Sequence, residues 1–103
     1  MPYKLKFSKE AEKDLYDLFA YISNDLKAPQ SANKLLAKIE KDICNLTIQP
    51  FMCPICQAAP LYEMSYRKLI IKKHIVIYCV DEKAKIVYIV RIFNGRQNYE
   101  RFF

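Results

Sequence analysis

Residues 74–97 read HIVIYCVDEKAKIVYIVRIFNGRQ, and their reading decides the fold. Two runs rich in Ile, Val and Tyr, Ile75–Val80 and Ile86–Phe93, flank the polar separator Asp81-Glu82-Lys83-Ala84. β-Branched and aromatic side chains suit a pleated surface, and so short a separator predicts a hairpin. Ile86–Val90 is apolar at consecutive positions, which predicts a central strand covered on one side by helices. Asn94-Gly95 then contributes the only glycine of the chain. Both residues tolerate positive φ, so the chain is expected to leave the sheet sharply there and to place Arg96 and Tyr99 beside it.

Outward from this hairpin, Tyr66–Ile71 is a third strand-like run. Near the N-terminus, Tyr3, Leu5 and Phe7 alternate with Lys4 and Lys6, the period of a half-buried strand. Ser8 suits an N-cap, with Glu10 and Glu12 in the first turn near the positive end of the helix dipole. Ala11, Leu15, Leu18, Phe19, Ile22 and Leu26 follow at helical spacing. Pro29 fits the first turn of a second helix, whose stripe is Ala32, Leu35, Leu36, Ile39, Ile43 and Leu46. Pro50 stops it, and the stretch with Pro50, Pro54 and Pro60 reads as loop. The predicted fold is α+β in the order β-α-α-β-β-β, a helical hairpin on one face of a small, mainly antiparallel sheet. Residues 1–103 form one domain in this reading.

The net charge is +6, and it is unevenly spread: residues 1–50 hold eight Lys/Arg against seven Asp/Glu, residues 51–103 nine against four. A basic second half favours nucleic acid, an acidic protein or an anionic surface, the alternative being a solvated face that aids solubility. "MPYKLKFSKEAEKD" has no apolar segment of signal type and no run approaches membrane-spanning length, so the expected location is cytoplasmic. Cys44, Cys53, Cys56 and Cys79 are then expected as reduced thiols. Cys53-Pro-Ile-Cys56 lacks the second ligand pair of a zinc site and the strand-to-helix setting of a redox site, so ordinary loop packing is favoured for it.

His74 is the only histidine, and Lys72 and Lys73 beside it are expected to push it toward the neutral form that a general base requires. Arg67, Arg91 and Arg96 are expected to converge at one side of the sheet with Tyr99 nearby, where guanidinium forks suit phosphate oxygens. Arg91 has a structural reading as well, an ion pair with a helix carboxylate such as Asp14 or Asp17.

In this order and spacing the chain resembles the RelE/ParE superfamily of bacterial toxin–antitoxin systems. The motifs that carry the resemblance are A-x-x-D-L from Ala11, L-x-x-P-x-x-A from Leu26, Y-R-x-L from Tyr66, Y-x-V-D-E from Tyr78 and R-I-x-x-G-R from Arg91. The resemblance spans nearly the whole chain. It implies a growth-inhibiting toxin, of the kind tied to plasmid stabilisation, that a cognate antitoxin wraps and silences. Operator DNA would be met only through that antitoxin; no membrane, metal or cofactor is implied. The target would be DNA gyrase, as for ParE-like members, or the ribosome with bound mRNA, as for RelE-like endoribonucleases. In the nuclease case the resemblance assigns Arg67, His74, Arg96 and Tyr99 to catalysis, His74 as base, Arg67 and Arg96 as phosphate clamps, and Tyr99 as stacking group or donor. Target or phosphate contacts would come from Arg67, Lys68, Arg91, Arg96 and Arg101. Ile75 stands where ribosome-dependent relatives commonly carry an arginine on the scissile phosphate. That departure, with the long helical hairpin and the "NGRQ" ending, leans the reading toward gyrase inhibition. A non-toxic binding module on the same fold is a further alternative.

Overall fold

A computed structural model describes residues 2–23, 29–57, 59 and 61–94. Strand β1 (Lys4–Phe7) leads into α1 (Lys9–Ser23), then α2 (Pro29–Asn45), β2 (Arg67–Ile71), β3 (His74–Asp81) and β4 (Ile86–Asn94). The expected order and α+β class are both present. β2 starts one residue later than the pattern predicted, because Tyr66 O is already taken by the loop amide of Cys56. β3 and β4 run slightly further than their apolar runs, to pair His74 with Asn94 and Asp81 with Ile86.

The sheet order is β1-β4-β3-β2, with β1 parallel to β4 and the other neighbours antiparallel. β4 is therefore the central strand its two-sided apolarity predicted. Its register against β3 shifts between Ile77 and Tyr78, which leaves Val90 as an extra residue between the Ile89 and Arg91 pairings. A bulge of this kind bends the strand and increases its twist. Two turns and the entry to β2 place Lys72, Lys85 and Ser65 at φ of 53°, 58° and 58°. Each costs on the order of 1 kcal/mol relative to glycine, a cost tight connections impose where no glycine stands.

Side chains alternate across the sheet and sort into two cores. Leu69, Ile71, Val76, Tyr78, Val87 and Ile89 meet Ala11, Ile22, Ile39, Ile43 and Leu46 of the helical layer. On the opposite face Ile77 and Phe93 are sealed by Cys56 and Leu61. The segment joining α2 to β2 thus wraps the sheet edge and reaches both faces. Side-chain contacts from the sheet help to fix it: Tyr78 Oη donates to Pro50 O at 2.9 Å, fully buried, and Arg67 Nη1 donates to Cys53 O at 2.6 Å. Burial, together with the adjoining Cys53 thiol, pushes the Tyr78 phenol far above its usual range, so it remains a donor at every physiological pH.

β1 ends at Phe7, four residues into its pairing, and α1 completes the exposed side of β4. Ser8 caps the helix by accepting from Ala11 N at 3.0 Å and donates its hydroxyl to Val90 O at 2.7 Å. One turn on, Asp14 accepts from Ile92 N at 3.0 Å and from Arg91 Nε and Nη2 at 2.8 and 3.2 Å. A helix carboxylate stands in for the strand that is no longer there. Removing it leaves the Ile92 amide without its acceptor and takes from Arg91 its bidentate carboxylate, so Asp14→Ala is expected to cost about 2–3 kcal/mol. Urea unfolding followed by circular dichroism measures that cost as a lowered midpoint at unchanged slope.

Candidate functional site

The residues singled out from the sequence fall in three separate places. Arg67 shares strand parity with Leu69 and Ile71, so its side chain lies on the helix-facing side of the sheet. There its guanidinium stacks on Phe51, 5.0 Å from the ring centre, and binds the carbonyls of Cys53 and Phe51. Arg91 instead pairs with Ile77 and lies 4.9 Å over the Phe93 ring, and both of those residues belong to the opposite core. The expected convergence of Arg67 and Arg91 does not occur: they occupy opposite faces, separated by the whole width of β3. The bulge at Val90 and the helix carboxylate, neither readable from strand patterns, set this arrangement.

Arg91 takes the structural partner foreseen for it. Its pair with Asp14 leaves the two side chains only 25% and 15% exposed. The hydrogen bond to Asp14 raises the guanidinium's already high pKa, against the opposing effect of burial. Lys68 sits on the open face in the same row, Lys68–Ile77–Arg91. Lys4 and Lys6 of β1 also stand on that open face, exposed, with Tyr88 beside Lys6.

His74 opens β3 at the far end of the sheet. Arg67 pairs with Tyr78, so four rungs, about 13 Å at ~3.3 Å per residue, separate the two along the sheet. His74 lines a pocket of about 340 Å³ with Asp14, Asp17, Leu18, Tyr21, Ile92 and Phe93. Its pKa falls below 6.5 because burial disfavours the imidazolium. The neutral form expected from the sequence is therefore favoured, but by desolvation rather than by Lys72 and Lys73. The sequence offered Asp17 only as a partner for Arg91 and did not single out Tyr21; they follow Asp14 by three and seven residues along α1, the spacing that puts them on one helix face.

The two cysteines of the C-x-x-C motif are buried on different sides, Cys53 in the helix-side core and Cys56 in the opposite one. Burial, then the Asp81 charge, raises the Cys79 thiol. Among the described residues no group of three or more His, Cys, Asp or Glu could hold a metal ion, and no helix is long and apolar enough to cross a membrane. Gly95, Arg96, Tyr99 and Arg101 lie outside the described residues.

Residues 5–99 match the family model described as ParE toxin of type II toxin-antitoxin system, parDE. Among solved structures, the fold is similar to a ParDE system from P. aeruginosa, at 18% identity and TM-score 0.66, covering 89% of this chain and 95% of that one. It is also similar to the RelBE2 toxin-antitoxin complex from Mycobacterium tuberculosis, at 19% identity and TM-score 0.65, covering 91% and 99%. A mutant of E. coli toxin RelE in its free state matches at 13% identity and TM-score 0.67, covering 99% and 93%. None of the curated proteins is a significant match.

The burial of His74 has a stability consequence. Its native pKa lies below the unfolded value near 6.5, so the unfolded chain binds more protons just below that pH. Stability is therefore expected to fall as pH drops through about 6.5 toward the native pKa and to level off below it. Urea midpoints for wild type and His74→Gln, compared from pH 7.5 downward, check this: the variant should lose that component of the slope.

Proposed function

The chain belongs to the ParE toxin family of type II toxin–antitoxin systems, and from that premise we propose that it arrests growth by inhibiting DNA gyrase and is silenced by a cognate antitoxin. The observation that supports the gyrase reading is the separation, among the described residues, of groups that RNA cleavage would have to combine. Metal-free scission of a phosphodiester requires a base at the 2′-hydroxyl and cations on the same crowded phosphate. His74 and Arg67 are four rungs apart, Arg91 is already bound by Asp14, and Ile75 stands where ribosome-dependent members of the superfamily commonly carry an arginine. The pocket at His74 also contains Asp14 and Asp17, which repel a phosphate rather than attract it.

The basic second half supports a protein partner that is acidic, for the antitoxin as for the target. Charge steers such an encounter, and apolar side chains then hold it. Arg96, Lys68 and Arg101 remain the cations proposed to meet the target. The RelE-like alternative keeps one supporting feature, the neutral imidazole of His74.

Purified protein is expected to block gyrase supercoiling of relaxed plasmid at stoichiometric ratios, and a co-purified antitoxin should restore it. Growth arrest on induction with gyrase activity unaffected would refute the gyrase reading. Absence of arrest from a soluble, folded product would instead favour the binding-module alternative.

A further inference from the structure

Four side chains at one end of the sheet form a continuous strip. Lys85 Nζ lies 5.2 Å from the centre of the Tyr3 ring; Tyr3 meets Phe51 edge-on at 6.5 Å; and the Arg67 guanidinium lies 5.0 Å from the Phe51 ring. The turn that presents Phe51 also presents Ile48 and Met52; Ile48 is 71% exposed, and Phe51 and Met52 are each 45% exposed. Tyr3 N donates to Thr47 O, which ties β1 to this turn and makes the surface one unit. Phe51 and Arg67 also wall a hollow of about 520 Å³ to which Ile55 and Val80 contribute.

Adjacent exposed Ile, Phe and Met are unusual on a monomer surface, and aromatic, Met and Arg side chains are those that concentrate binding energy at interfaces. The cations at the two ends identify the occupant. Arg67 uses only Nη1 for the loop carbonyls, so Nε and Nη2 have no partner among the described residues. Lys85 has no carboxylate partner among them either. We infer that this strip is a docking surface for an acidic peptide segment of a protein partner, with an apolar side chain seated on Phe51 and flanking carboxylates on Arg67 and Lys85. Asp81 and Glu82 line the hollow as well and would repel a carboxylate there. The apolar side chain therefore enters the hollow while the acidic ones lie along the strip. The surface is distinct from the His74 pocket and does not require gyrase to be the target.

The probe is the labelled peptide acetyl-Glu-Asp-Leu-Phe-Asp-Glu-amide, titrated into the full chain by fluorescence anisotropy, with acetyl-Lys-Arg-Leu-Phe-Arg-Lys-amide as the charge-reversed control. Binding of the acidic peptide alone is expected, weakening with salt, and Phe51→Ala should weaken it about tenfold. Phe51 touches Arg67, so the exposed changes Ile48→Ser and Lys85→Glu serve as variants that keep the fold, each expected to weaken binding about threefold or more. Equal binding of both peptides, no binding of either, or affinity indifferent to all three changes would overturn the inference. So would sedimentation showing that the strip is occupied by a second copy of the chain, with a dimer that Phe51→Ala dissociates.

Discussion

One carboxylate sets the form of the sheet's working end. β1 is too short to accompany β4 to its finish, so Ile92 N would face solvent or a dry gap if Asp14 were not there. A backbone amide left without an acceptor in a half-buried place costs about as much as a typical mutation removes from the whole domain's stability. Asp14 supplies the acceptor and then binds Arg91 with its remaining lone pairs. Through these bonds α1 determines where the last residues of β4 run, how Arg91 lies over Phe93, and what surrounds His74. The bulge at Val90 belongs to the same arrangement, because it turns Arg91 toward the edge that β1 has vacated.

The functional consequence is one of placement. A basic chain can gather its cations around one phosphate, or distribute them so that each has its own task. Arg67 holds the α2–β2 segment by its carbonyls, Arg91 holds α1 to β4, and Lys4, Lys6 and Lys68 stay on the open face. Tight pairing with Asp14 makes Arg91 a poor phosphate ligand, since a new anion must displace hydrogen bonds already formed. Fold likeness does not decide between gyrase inhibition and RNA cleavage, because ParDE and RelE structures match the chain equally well in shape.

Much of the architecture was legible in the residues themselves. The two-sided apolarity of Ile86–Val90 identified the central strand, Ser8 announced the first helix, and the alternation of Tyr3, Leu5 and Phe7 gave β1 its buried face. The Arg91–Asp14 pair was legible as one of two options, since a lone arginine in an apolar strand needs a carboxylate. Periodicity could not reveal the bulge, because one extra residue changes the face of everything after it without changing the pattern. For the same reason the convergence of Arg67 and Arg91 looked plausible and is absent. The Pro-rich segment is the loop its prolines announced, but its path is held by non-local contacts, Tyr78 to Pro50 and Arg67 to Cys53, which no local propensity encodes.

The account stands most directly on whether a phosphodiester is ever cut. Primer extension on mRNA bound to ribosomes, with the purified protein added in excess, reads this without ambiguity. Full-length extension products are predicted at every codon. A codon-dependent cleavage ladder that disappears in the His74→Ala protein would contradict the account and return the dispersed cations to a catalytic role.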